Sequence, residues 1–155
     1  MNDIAQVVIL EHHPLFREGI ATILKNEADF EVVGQGSSTA ESDKLATNLL
    51  PYLVILDIDM PESSLTAAQM ISMQYPVSKI VFLALSETDD NLVKAFETGA
   101  RAYFLKGVSE QELVRNLKAV HSGESFLPPA WQPACTMKYT AQSRSRPRSM
   151  ISWMN

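Results

Sequence analysis

Four polar residues close or follow short apolar runs that lie far apart in the chain. Glu11 follows Val7-Val8-Ile9-Leu10, Asp57 and Asp59 follow Leu53-Val54-Ile55-Leu56, and Lys106 follows Ala102-Tyr103-Phe104-Leu105. Carboxylates brought together make a hard oxygen site of the kind that holds Mg²⁺. A carboxylate at its centre can attack a phosphoryl group, while the metal neutralises developing charge and orients the oxygens. A lysine adds a point charge for a phosphoryl oxygen. Strand ends are often polar because they meet solvent, so each residue alone carries little. Their joint placement points to a site.

That chemistry requires a scaffold that gathers the ends of several strands. The sequence supplies one, because short apolar runs alternate with longer helical periods. Strands are expected at Gln6–Leu10, Phe30–Gly34, Leu53–Leu56, Ile80–Leu85 and Ala102–Leu105. The third run has no polar alternation, which predicts burial on both faces, as in a parallel sheet. Pro14 opens the first helix, whose apolar face is read as Leu15, Ile20, Ile23 and Leu24. Ser38 with Glu41 and Ser109 with Glu112 have the spacing of capping boxes for two further helices. Pro51 and Pro76 stop helices, and Gly99 suits the position after one. Repeated strand–helix units argue for an α/β fold: a doubly wound parallel sheet, strand order 2-1-3-4-5, with helices on both faces. Ligands of such sheets bind outside the carboxyl ends of the strands, where Glu11, Asp57, Asp59 and Lys106 fall.

Composition sets the outer limits. The chain has 155 residues, enough for one domain with a substantial core, and no apolar run approaches the length of a membrane span. Its N-terminus lacks the basic and small-residue signature of a secretory signal, and a single cysteine, Cys135, fits a reducing cytoplasm. The net charge of −5 divides into a tail over residues 130–155 of +4 and a body over residues 1–129 of −9. Nucleic acid repels such a body, so contact with DNA by this chain alone would fall to the tail. The Ser/Arg composition of the tail is that of a disordered segment, which places the domain boundary near residue 129.

Residues 6–129 resemble the receiver domain of bacterial two-component response regulators, the LuxR/NarL-type branch in particular. The carrying segments are Ile9-Leu10-Glu11-His12-His13-Pro14-Leu15-Phe16-Arg17-Glu18-Gly19, Val54-Ile55-Leu56-Asp57-Ile58-Asp59-Met60-Pro61 and Gly99-Ala100-Arg101-Ala102-Tyr103-Phe104-Leu105-Lys106. The resemblance implies a flavodoxin-like (βα)5 fold and transfer of a phosphoryl group from a sensor histidine kinase to Asp57, aided by Mg²⁺. It implies metal ligands at Glu11, Asp57 and the Asp59 backbone carbonyl, a phosphoryl contact from Lys106, and an aromatic switch at Tyr103. It also implies a homodimer, a phosphoacceptor rather than an enzyme, and regulation of transcription through a DNA-binding output domain that residues 130–155 do not match. No membrane contact is implied.

Three positions depart from the family pattern. His12 stands where the family has a second acid, and imidazole suits transition metals better than Mg²⁺. Ala84 stands where the family has Thr or Ser, and it has no hydroxyl to offer a phosphoryl oxygen, although Ser86 lies two residues on. Glu62-Ser63-Ser64 stands where glycines are common. These departures predict weakened Mg²⁺ binding, with the Asp59 carboxylate a candidate to offset the lost acid. They also define an alternative, a pseudo-receiver that acts as an interaction or dimerisation module without phosphate. The Asp57-x-Asp59 spacing occurs in phosphatases of similar fold, but the rest of that pattern is missing.

Overall fold

Apolar runs with no polar alternation leave no face for water, so they form strands covered on both sides. The computed structural model describes residues 4–60, 63–85 and 89–123. Within them five strands, β1 (Ala5–Leu10), β2 (Phe30–Gly36), β3 (Leu53–Asp57), β4 (Lys79–Ala84) and β5 (Ala102–Leu105), pair in parallel in the order β2-β1-β3-β4-β5. The connecting helices are α1 (Pro14–Lys25), α2 (Ser42–Leu49), α3 (Ser64–Gln74), α4 (Asp89–Glu97) and α5 (Glu110–His121). The domain boundary near residue 129 and the basic tail, residues 130–155, lie outside the described residues.

The pleat sorts each strand between two cores. Val8, Leu10, Val54, Leu56, Ile80, Phe82 and Tyr103 point to one face, where Ala46 of α2, Ile71 of α3 and Phe96 of α4 meet them. Val7, Ile9, Leu53, Ile55, Val81, Leu83 and Phe104 point to the other, packed against Ile20 and Leu24 of α1 and Leu113, Leu117 and Val120 of α5. Period-two alternation in the strands thus serves two apolar layers instead of one.

Helix ends follow from side-chain chemistry. The Ser109 hydroxyl accepts the Glu112 N–H at 3.1 Å, which caps α5. Ser63 caps α3 in the same way through the Thr66 N–H at 3.2 Å. At Ser38 the expected box takes another form. Glu41 reaches back to the Ser37 N–H at 3.1 Å, a single 3₁₀ turn follows, and α2 starts only at Ser42. Gly99, at φ +98°, ends the turn after α4 in a conformation that side chains rarely adopt. Leu50 ends α2 in the left-handed region at φ 44° with no such freedom, and Pro51 behind it forbids the helix from continuing.

Two details depart from the sequence pattern. Leu15 is 87% exposed, whereas Ile20, Ala21 and Leu24 are buried. Five residues turn a helix through about 500°, so Leu15 lies about 140° away from Ile20 and off the core stripe. In β2 the pairing with β1 slips by one between Val7↔Val32 and Val8↔Gly34, leaving Val33 as an extra residue in that edge strand.

Phe82 is fully buried in the central region of the sheet. Phe82→Ala should cost about 3–5 kcal/mol by urea unfolding, and Leu15→Ala should stay within about 0.5 kcal/mol.

Candidate functional site

The sheet register brings the strand ends together. Leu10 pairs with Leu56, so Glu11 and Asp57 emerge side by side from β1 and β3. Ala84 pairs with Leu105, so Lys106 emerges from β5 one strand beyond. Two backbone bonds extend the ladders past their last pairs: Glu11 N–H to the Gly36 carbonyl at 3.0 Å, and Lys106 N–H to the Ala84 carbonyl at 2.8 Å. The Lys106 stem therefore starts from a fixed point and reaches across the pocket. Its Nζ donates to Glu11 Oε1 at 3.1 Å and lies 2.9 Å from Oε2 and 3.2 Å from Asp57 Oδ1. Both carboxylates are fully buried, the lysine side chain is 6% exposed, and its ammonium sits 5.2 Å from the centre of the Phe16 ring.

Asp57 is held at both oxygens. Oδ1 accepts the Asp59 N–H at 2.8 Å and faces Lys106, while Oδ2 meets His12 Nδ1 in a short contact. A carboxylate can only accept, so Nδ1 carries the hydrogen there. Burial pushes the Asp57 carboxyl up. The Asp59 backbone bond, the Lys106 ammonium and the His12 bond outweigh that, and the carboxyl rests below the ordinary carboxylate range. The Asp57 carbonyl is fixed as well, by the buried Ser64 hydroxyl at 2.6 Å, which ties the start of α3 to the end of β3.

Glu11 is asymmetric. Its Oε1 accepts the His13 N–H at 3.0 Å, faces His13 Nδ1 at 3.0 Å and accepts from Lys106. Oε2 has the Lys106 ammonium beside it at 2.9 Å and no main-chain or imidazole donor. The imidazoles of His12 and His13 lie with centroids 3.8 Å apart, each turned toward a carboxylate. One ligand atom from each of Glu11, His12, His13 and Asp57 falls within 4.8 Å of all the others. Two of these four donors are imidazoles, so the set offers Mg²⁺, which takes oxygen ligands, a poorer hold than a third acid would give. The Asp59 carboxylate does not repair it, because its Oδ2 accepts the Leu85 N–H at 3.1 Å and stands outside the group.

The structure thus brings Glu11, His12, Asp57 and Lys106 into one pocket, with the Asp59 backbone against Asp57. Ala84 is buried beside it with only a methyl group, and Ser86 lies outside the described residues. Tyr103 is fully buried in the sheet-face core, its ring inward. His13 was not among the candidate residues of the sequence, yet its ring joins the pocket. The signal was present in Pro14, which biases the preceding residue to extended backbone. At φ −90°, ψ 111° His13 precedes α1 without capping it, and its ring turns back onto Glu11. Ser64 and Arg17, which donates to the Glu11 carbonyl at 2.7 Å, were not singled out; hydroxyl and guanidinium bonds to main chain leave no pattern in sequence.

Comparison with known proteins agrees with this geometry. A family described as "Response regulator receiver domain" matches residues 7–118. The transcriptional regulatory protein DegU of Brevibacillus brevis is 31% identical over 125 residues, which cover 80% of this chain and 53% of DegU. The oxygen regulatory protein NreC of Staphylococcus epidermidis is 28% identical over 142 residues, covering 90% of this chain and 65% of NreC. The chain therefore spans between about half and two thirds of the length of these relatives. Among solved structures, the signal receiver domain of NarL from Mycobacterium tuberculosis superposes with a TM-score of 0.73 at 26% identity, covering 79% of this chain and 99% of that one.

The depressed pKa of Asp57 has a signed consequence. Its ionised form stabilises the fold above the unfolded-state pKa of about 3.9, and that stability is lost as pH falls through the lower folded value. Urea unfolding followed from about pH 6 to pH 2.5 should show a steeper acid limb in the parent than in Asp57→Asn.

Proposed function

The chain belongs to the response regulator receiver family, and from that membership we propose that Asp57 is its phosphoryl acceptor. The domain is the receiver of a two-component response regulator. The single observation that carries the assignment of Asp57 is its position: an ionised, fully buried carboxylate at the end of β3, 3.2 Å from the Lys106 ammonium.

In the proposed transfer an Asp57 oxygen attacks phosphorus, an O–P bond forms and the P–N bond of a kinase phosphohistidine breaks. The Asp59 N–H holds Oδ1, so Oδ2 is the oxygen to be released for attack, with rotation of His12 away from it. Lys106 then exchanges part of its contact with Glu11 for a phosphoryl oxygen. Ala84 supplies no hydroxyl at the strand end, so the phosphoryl group has one donor fewer than the family pattern provides. Tyr103 is the proposed switch, through reorientation of its buried ring. Magnesium supplies charge neutralisation in the family; here the donor set makes its hold weak, and no step of this transfer is routed through it.

The proposed partners are a sensor histidine kinase, a second copy of the chain, and DNA through an output domain such as the relatives' length leaves room for. The proposed place is the cytoplasm, and the domain acts as a phosphoacceptor with at most self-dephosphorylation. Among the described residues no helix is long and apolar enough to cross a membrane. A pseudo-receiver reading is not favoured, because Glu11, Asp57 and Lys106 all occupy their places.

Incubation with a small-molecule phosphodonor, read by intact mass, should add one phosphoryl group to the parent and none to Asp57→Ala. Lys106→Gln should slow the addition on the order of 10²-fold, the usual effect of removing one charge-stabilising donor. A parent that gains no mass with any divalent ion present would remove Asp57 from this role.

A further inference from the structure

We propose that this pocket is a binding site for a borderline transition ion of the Zn²⁺ and Co²⁺ class, held by Glu11, Asp57, His12 and His13. The inference concerns the same pocket as phosphoryl transfer but rests on the donor atoms alone. Two imidazoles and two carboxylates make a mixed nitrogen and oxygen set, the set that Zn²⁺ and its neighbours prefer and Mg²⁺ does not. In the family pattern three acids serve the cation. Here one of those negative charges is gone, so an ion held by charge and oxygen alone loses affinity. An ion that bonds to imidazole regains it.

The geometry is already close to a coordination shell. The four donor atoms fall within 4.8 Å of one another. Bonds of about 2.1 Å in a tetrahedron place ligands about 3.4 Å apart, so the set needs to contract by little more than an ångström at its widest. Each imidazole already faces a carboxylate, His12 on Asp57 and His13 on Glu11. In each pair a hydrogen lies between nitrogen and oxygen. A cation can take the place of both, with the imidazole hydrogens moving to the other ring nitrogen and no charge lost from the rings.

Two further observations aim at a ligand. Glu11 is fully buried, and its Oε2, unlike Oε1, takes no main-chain or imidazole hydrogen bond; its partner is the Lys106 ammonium at 2.9 Å. His13 sits where a side chain would ordinarily cap α1, and it does not; its ring lies over His12 and against Glu11 instead. Neither the helix nor the core uses that ring. His12 is 26% exposed and His13 51%, so the ion has a way in from solvent, while the carboxylates stay buried behind them.

Calorimetric titration of the whole chain with CoCl₂ and with MgCl₂, alongside the visible absorption of bound Co²⁺, tests this. Co²⁺ should bind at least about tenfold more tightly than Mg²⁺ and develop the intense visible bands of a low-coordinate site with nitrogen ligands. Loss of even an outer-shell partner of a metal ligand costs about 10–100-fold in affinity, so loss of a ligand in His13→Ala should weaken Co²⁺ by at least that factor and Mg²⁺ by less. His12→Asp should narrow the difference between the two metals. Equal affinity of the parent for both ions would overturn the proposal, and so would unchanged Co²⁺ binding in both variants, since the ion would then sit on other donors. Phosphodonor mass shifts are read separately. Absent phosphorylation with the Co²⁺ preference intact would count against the acceptor role alone, and the reverse pairing against the metal alone.

Discussion

Two carboxylates lie out of water within 4.8 Å of each other, and one ammonium stands against both. A buried charge without a partner is far more costly than a buried pair, so Glu11, Asp57 and Lys106 stand or fall together. They come from β1, β3 and β5, and no two of these segments are near neighbours in sequence. The arrangement therefore exists only when the sheet is complete from β1 across to β5. The hydrophobic layers make the sheet; the ion cluster checks that its far strand is in register.

The two halves of this result were not equally legible in the sequence. The strands and helices followed from apolar periodicity, the strand order from the fold class they imply, and the meeting of Glu11, Asp57 and Lys106 from the rule that strand ends form the site. The lysine and the acids announce themselves only jointly: polar residues are common at strand ends, but two acids and a lysine gathered on one sheet edge point to a site. The part played by His13 did not follow, since the direction of its ring is not fixed by residue type, while His12 was placed in the pocket from its position alone. Leu15 misled for a related reason: a leucine near a helix start resembles a core residue until its angle around the axis is counted. The Asp59 carboxylate misled because the loop carries it toward Leu85, and loop direction has no signature in composition.

The pocket also shows how one fold accommodates altered chemistry without losing its frame. Main-chain bonds carry the placement: Lys106 N–H to the Ala84 carbonyl and Glu11 N–H to the Gly36 carbonyl. These bonds are indifferent to side-chain identity. His12 in place of an acid and Ala84 in place of a hydroxyl change what the pocket can bind, while the positions of Asp57 and Lys106 persist. Ser64 adds to this by anchoring the start of α3 to the Asp57 carbonyl, a bond that leaves the acceptor oxygens untouched.

The extra residue in β2 bears on a different property. An edge strand of seven residues is long enough to recruit a strand from a second molecule. Val33 interrupts the regular hydrogen-bonding ladder there and adds local twist, while β5 at the opposite edge has only four residues. Neither border of the sheet offers a flat, continuous template. Copies of this chain are thereby steered away from edge-to-edge sheet extension, the route that leads to fibres.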